Sequence, residues 1–309
     1  MNLPSTLAFG CMGLSAEKRE ASIKTVARAY ELGIRVFDNA DMYPKGNPYG
    51  ESESILGDAL RQAGIRRDTV VLTSKSGICL PGARSEYHYK AYDNSAAYLK
   101  RQVEGALTRL QTDCIDIWFI HRIDYLTHPA EIAAAVDALK REGKIRALGA
   151  SNYTVDELRA LQAHTPIGAV QVGFNLFDTS PLRNGVHAFC TQAGIPLLAY
   201  SPLAGGVLAG RPASHYDWRQ QRQLGARQQI AAIAALYDAT PAALALAWLM
   251  QLPGPVLPLA GSANPEHIAE AARAQSLRIR RDHWYELLSI GLGHSLPMAD
   301  RTLSENVGI

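Results

Sequence analysis

Ile115-Asp116-Ile117-Trp118-Phe119-Ile120-His121 is the stretch whose reading decides the fold. Its first six residues, mostly β-branched, aromatic or aliphatic, read as a strand buried on both faces. A strand of that kind belongs in a parallel sheet covered by helices. It stops at a histidine followed by Arg122-Ile123-Asp124, a polar turn. A titratable ring is therefore held at the mouth of something apolar.

Working outward, the same unit recurs. Upstream, Thr6 to Phe9, Ile34 to Phe37 and Val70 to Thr73 read as strands. Between them, Ser15 to Leu32 and Glu51 to Gln62 carry apolar residues at helical spacing. Ser95 caps a helix to Leu110, and Pro129 to Glu142 is the next. Downstream, Ile145 to Ala150, Ala169 to Val172, Pro196 to Tyr200 and Pro255 to Leu259 read as strands. Thr154 and Glu157 form a capping box for a helix over Val155 to Ala163. Leu182 to Ala193, Ala226 to Tyr237 and Pro241 to Gln251 read as helices, and Asn264-Pro265-Glu266 opens another. Eight strands alternating with helices within 309 residues predict an α/β fold, a closed (β/α)8 TIM barrel of parallel strands with its site at the C-terminal mouth. A doubly wound open sheet is the alternative, but Phe9-Gly10-Cys11-Met12-Gly13 lacks the G-x-G-x-x-G that it wants. The expected organisation is one barrel domain over 1–309, its core over 5–280, with a C-terminal helix and tail over 281–309.

Composition narrows the function classes. The net charge of +2, from 31 basic and 29 acidic residues, gives no electrostatic case for nucleic acid or an anionic membrane. The four cysteines are scattered, without C-x-x-C spacing or a His/Cys cluster, so neither a disulfide framework nor a metal site is expected. No signal peptide or membrane span is visible, and the expectation is a cytoplasmic protein, monomeric or weakly oligomeric.

In a barrel of this kind, side chains at the C-terminal strand ends converge on one mouth. The strand ends here supply Asp38, Lys75, His121, Ser151-Asn152, Gln171 and Tyr200, with Tyr43 in the loop after Asp38. Taken singly, each has a plain reading: a helix cap, a solvated strand end, a core histidine, a loop aromatic. Together they place a carboxylate, an amine, a phenol and an imidazole at one site. A phenol with a free pKa near ~10 is a poor proton donor or acceptor at neutral pH. A neighbouring ammonium is expected to lower that value, a carboxylate to hold the ammonium, and an imidazole to orient a carbonyl oxygen. The set suits proton transfer to a carbonyl that receives a hydride, which no side chain supplies, so a nicotinamide cofactor is implied. The long loop from Ser76 to Asn94 carries Tyr87, Tyr89 and Tyr92, read as either loop packing or substrate lining.

Phe37-Asp38-Asn39-Ala40-Asp41-Met42-Tyr43, Ser74-Lys75 and Phe119-Ile120-His121-Arg122 closely resemble the aldo-keto reductases. Gly149-Ala150-Ser151-Asn152-Tyr153, Gln171, Asn175, Tyr200-Ser201-Pro202-Leu203 and Gly261-Ser262 extend the resemblance over essentially the whole chain. The Ser76 to Asn94 loop looks most like a bacterial subgroup of poorly assigned substrate. The resemblance implies an NAD(P)-dependent oxidoreductase acting on an aldehyde or ketone, or on an alcohol or lactol in reverse. It makes Tyr43 the general acid/base, tuned by Lys75 and Asp38, with His121 orienting the carbonyl. It also implies that Ser151, Asn152 and Gln171 hold the nicotinamide carboxamide and that Tyr200 stacks on the ring. Ser201, Leu203, Gly205 and Gly206 would follow the pyrophosphate. Ser262 and the helix from Asn264 would receive the adenosine phosphate, with Gly13, Gly261, His267 and Glu270 completing the cofactor set. Tyr87, Tyr89 and Arg122 are the expected substrate-pocket residues.

The departures matter. Where many members carry a basic residue this chain has Ala263, and where others carry arginine it has His267. The usual cations for a 2′-phosphate thus reduce to a titratable histidine, unless an arginine such as Arg211 folds over it. NADP(H) is expected over NAD(H) on the resemblance, with NAD as the alternative. After the sixth strand, where many relatives have Glu-Tyr, this chain has Gly173-Phe174. A cofactor-binding regulatory subunit without significant turnover is the rival function, and a barrel with non-redox chemistry is the third.

Overall fold

The computed structural model describes residues 3–44, 49–81, 87–211 and 220–296, with side chains of 220–224 left aside. Parts of the two long loops and the tail beyond 296 therefore lie outside the described residues. The barrel strands are β1 (Ala8–Gly10), β2 (Val36–Asp38), β3 (Val71–Ser76), β4 (Ile115–Ile120), β5 (Ile145–Ser151), β6 (Ile167–Gly173), β7 (Leu197–Tyr200) and β8 (Val256–Ala260). Each pairs in parallel with its sequence neighbours, and β8 closes onto β1 through Ala8–Leu259 and Phe9–Ala260.

The decisive stretch behaves as its composition dictates. Every residue of β4 is buried. Because alternate side chains face opposite ways, Ile117 and Phe119 enter the barrel interior with Ala8, Val36, Ala169, Leu198, Leu257 and Leu259. Trp118 and Ile120 face the helices, in the larger layer with Phe9, Phe37, Leu72 and Leu148. Asp116 is the one charge in the run, and it is matched: Arg67 Nη2 lies at 2.6 Å, Arg146 Nη1 at 3.1 Å, and Leu72 N–H donates at 2.8 Å. A buried carboxylate with three donors escapes most of its desolvation cost.

Three local expectations change. The helix foreseen over Leu182 to Ala193 is broken: a short turn, Ser180–Arg183, gives way to Val186–Ala193. The break falls at Asn184, whose side chain accepts from Val186 N–H, and Gly185, at φ +85°. The Ser76 to Asn94 loop is not wholly irregular, since Ile78–Cys79 and Ala91–Tyr92 pair as a small antiparallel hairpin. The helix foreseen from Ala226 already runs from Gln220 and ends at Ala235. Beyond the barrel, Arg281–Leu292 is anchored by Trp284. Its ring stacks on Trp248 at 4.8 Å, and each indole N–H donates to the other residue's carbonyl.

Candidate active site

Strand alternation builds the site. The inward positions Val36, Thr73, Phe119, Ala169 and Leu198 are each followed two residues later by Asp38, Lys75, His121, Gln171 and Tyr200. The inner core layer therefore ends in polar groups at the mouth. Lys75 Nζ is fully buried and lies 2.7 Å from Asp38 Oδ2, while also donating to the Asn39 carbonyl at 2.5 Å. Asp38 Oδ1 accepts from Thr73 Oγ1 at 2.7 Å and from Gln171 Nε2 at 2.9 Å.

Tyr43 is set by its loop. Asp41 N–H donates to the Lys75 carbonyl, Gly50 N–H to the Asp41 carbonyl, and Ser52 N–H to the Tyr43 carbonyl. Ala40, Met42 and Ile78 form a satellite core against which Tyr43 packs. Its ring stands edge-on to His121, centroids 6.1 Å apart, with Lys75 Nζ 5.2 Å from the Tyr43 centroid. Asp38, Tyr43, Lys75 and His121 are thus brought together. The electrostatics differ from the expected lowering of the phenol. Burial pushes the Tyr43 phenol well above its ordinary range, and the Asp38 carboxylate adds to the rise. The net direction keeps the phenol in its proton-bearing form.

Beside this group, Asn152 sits at φ +63° and links three elements. Its Nδ2 donates to Ser151 Oγ at 2.8 Å, and its Oδ1 accepts from Tyr200 O–H at 2.8 Å. Gly173 explains how Tyr200 reaches across. It is the register partner of Tyr200, and a Cβ on it would stand 3.3 Å from the Tyr200 ring. The bare strand end lets the ring lie over β6 toward Asn152. Gln171 has its amide committed to Asp38, a link that sequence reading missed.

After β7 the chain enters a 3-10 stretch, Ala204–Ala209, with Ser201, Ala204, Gly205 and Gly206 at positive φ. Leu203 opens it, and the Ser201 carbonyl accepts from Asn175 Nδ2 at 3.1 Å. Gly13 approaches the backbone of Ser262 and Ala263 within about 4 Å of a built Cβ, and Gly261 packs against the Gly10 carbonyl. Ser262 Oγ lies 3.1 Å from His267 Nδ1 and accepts from Asn264 N–H at 3.0 Å. Glu270 follows on the helix Pro265–Ala272. Of the expected pocket residues, Tyr87 is half-buried with its hydroxyl donating to Asp93, Tyr89 is 84% exposed, and Arg122 is half-buried, its carbonyl accepting from Asn94. Among the described residues there is no helix long and apolar enough to cross a membrane, and no cluster of three His, Cys, Asp or Glu that could hold a metal ion.

Sequence reading missed Thr73, Asn39 and Asp41. Thr73 precedes Lys75 by two residues, which is a legible signal for a shared inward face. Asp41 is fully buried, and neither carboxylate oxygen has a partner among the described residues. Burial and the nearby Glu53 charge raise its pKa well above the ordinary carboxylate range.

Comparison with known proteins bears on the family and the fold. The family model described as Aldo/keto reductase family matches residues 6–291. A protein named 6-dehydroglucose reductase from Novosphingobium aromaticivorans is 33% identical, the match covering 95% of this chain and 93% of that one. Another of that name from Agrobacterium fabrum is 33% identical over 84% of each. The glycerol dehydrogenase of Gluconobacter oxydans superposes with a TM-score of 0.83 at 23% identity, over 96% of this chain and 97% of that one, which bears on the fold. An aldo-keto reductase from Klebsiella pneumoniae, solved with NADPH, has a TM-score of 0.74 at 27% identity, over 91% and 89%. This chain belongs to the aldo/keto reductase family.

Proposed function

We propose that the chain reduces an aldehyde or ketone on a small polar molecule, using NADPH, with Tyr43 donating the proton. One observation carries the reading. The buried Lys75–Asp38 pair lies against Tyr43, and His121 stands edge-on to the same ring. A side chain constellation of this kind can bind a carbonyl oxygen from two sides and protonate it.

The residues present suit a nicotinamide nucleotide. Tyr200 offers an aromatic face beside Ser151 and Asn152, and the stretch with positive φ leaves backbone open at Gly205 and overlain by Arg211 at Gly206, which together suit a phosphate. When bound there, the nucleotide supplies the hydride. The protein's own part is to hold the substrate oxygen between Tyr43 and His121 and to deliver the phenolic proton as negative charge develops on that oxygen. Lys75 then stabilises the resulting phenolate, and Asp38, held by Thr73 and Gln171, keeps the ammonium in place. The upward shift of the Tyr43 phenol means that it carries the proton to be donated when reduction begins. The Klebsiella relative's NADPH complex supports the cofactor choice. The names of the two bacterial relatives make oxidised hexoses the first substrate class to offer.

The test is loss of the reduced-nicotinamide absorbance with NADPH and a panel of oxidised hexoses, simple aldehydes and ketones. Saturable consumption with at least one carbonyl is expected. Binding of NADPH without consumption by any of them would overturn the reading in favour of a regulatory subunit.

A further inference from the structure

Resting on the nicotinamide-nucleotide reading, we propose that Arg227 recognises the 2′-phosphate of NADP(H) in this chain, a role that the residues after β8 do not fill. Those residues are poorly equipped. Ser262, Ala263 and Asn264 carry no charge, and His267 is engaged through Nδ1 with Ser262 Oγ. The next cation, Arg273, donates to the Asp238 carbonyl at 2.8 Å.

The cation lies on the other wall. A cavity of about 760 Å3 opens where the end of the segment after β7 meets the helix Gln220–Ala235 and the start of the helix Pro241–Met250, with Glu270 of the helix Pro265–Ala272 also lining it. Leu208, Gly210, Arg227, Thr240, Ala242 and Glu270 line it. Its volume falls in the range of small-molecule sites. Leu208 and Gly210 of its wall follow Gly205 and Gly206 in the same segment of chain. Arg227 projects from the helix Gln220–Ala235 and is half-buried. Its Nη2 lies 3.7 Å from where a Cβ on Gly210 would stand, so the guanidinium rests against bare backbone at φ +90°. Among the described residues it has neither a hydrogen bond nor an ion pair. A half-withdrawn guanidinium with all its donors uncommitted is suited to a multivalent anion. Glu270, on the cavity wall, would repel that anion and so bias it toward the arginine.

Arg211 differs in placement. A Cβ on Gly206 would collide with its side chain, Cδ at 2.6 Å, so it overlies the stretch assigned to the pyrophosphate that both cofactors share. Arg211 thus serves either dinucleotide, and Arg227 discriminates between them.

Isothermal titration of the full chain with NADP+, NAD+, 2′,5′-ADP and 5′-AMP tests this without turnover. The parent should bind NADP+ more tightly than NAD+. Arg227→Gln should weaken NADP+ and 2′,5′-ADP by roughly tenfold or more, the scale of one charge-assisted bond, and leave NAD+ and 5′-AMP within about twofold. Arg227→Lys should retain part of the preference, and Arg211→Gln should weaken both dinucleotides alike. An Arg227→Gln variant that loses NAD+ and NADP+ equally, or neither, overturns the assignment, as does a parent that binds the two alike. A parent that binds no dinucleotide at all overturns the nicotinamide reading itself and the assignment with it.

Discussion

Replacing Lys75 with methionine perturbs stability and chemistry together, and the structure sets the size of the first effect. The ammonium is fully buried and makes one ion pair and one bond to a carbonyl. Methionine nearly fills the volume, so little cavity forms, and the cost comes from stranding the Asp38 charge. Removing one partner of a buried pair typically costs about 3–5 kcal/mol. Thr73 and Gln171 still donate to Asp38, which argues for the lower half of that range. For 309 residues the unfolding entropy is on the order of 0.65 kcal/mol/K, so the melting temperature should fall by roughly 5–6 °C. The loss should depend on pH in a stated direction. In the variant the Asp38 carboxylate loses its cation and keeps only the Thr73 and Gln171 hydrogen bonds against its desolvation, so its charge is harder to hold in the fold than in the unfolded chain. Protonating the carboxylate relieves that cost, so stability is retained in acid and lost as pH rises. Thermal melts of parent and variant from pH 4 to pH 8 should therefore diverge as pH increases. A constant difference across that range, or one that widens in acid, would refute the view that Lys75 exists to compensate Asp38.

Other expected outcomes follow from single contacts. Asp41 has a raised pKa in the fold, so between its unfolded and folded values the native state holds the extra proton and stability falls with rising pH. Asp41→Asn should flatten that decline in urea titrations between pH 5 and pH 8, and a variant with an unchanged pH slope would show that Asp41 stays ionised. Gly173→Val should displace the Tyr200 ring and break its bond to Asn152, weakening NADPH binding by roughly 2–10-fold, the worth of one neutral hydrogen bond. Unaltered binding, with unaltered circular dichroism, would remove Tyr200 from the nucleotide site.

What could be read from the residues was whatever local pattern decides. The run Ile115 to Ile120 is apolar but for Asp116 and rich in β-branched and aromatic residues, which suits a strand covered on both faces. Once Phe119 is assigned to the interior, parity alone carries His121 into the mouth, and the same rule places Asp38, Lys75 and Tyr200. The Thr154–Glu157 capping box formed as its spacing implied, with both bonds present. What was not legible depends on distant groups. Gln171 bonds Asp38 across 133 residues of sequence, and no local signal announces it. The missing side chain at Gly173 was visible as a departure, but its use, to let Tyr200 lie across β6, needed the register of two strands. The helix over Leu182 to Ala193 was overcalled because apolar spacing continues through Asn184-Gly185, where backbone conformation breaks it. The direction of the Tyr43 shift was also beyond reach, since ammonium proximity and burial act oppositely and only coordinates weigh them.

The most direct test of the account is Tyr43→Phe, which removes the phenolic proton and leaves the ring that faces His121 and Lys75. NADPH binding by fluorescence titration should stay within about twofold, while carbonyl-dependent NADPH consumption should fall by roughly 10²-fold or more, the contribution expected of a general acid. Consumption within about twofold of the parent would contradict the assignment of Tyr43 as the proton donor.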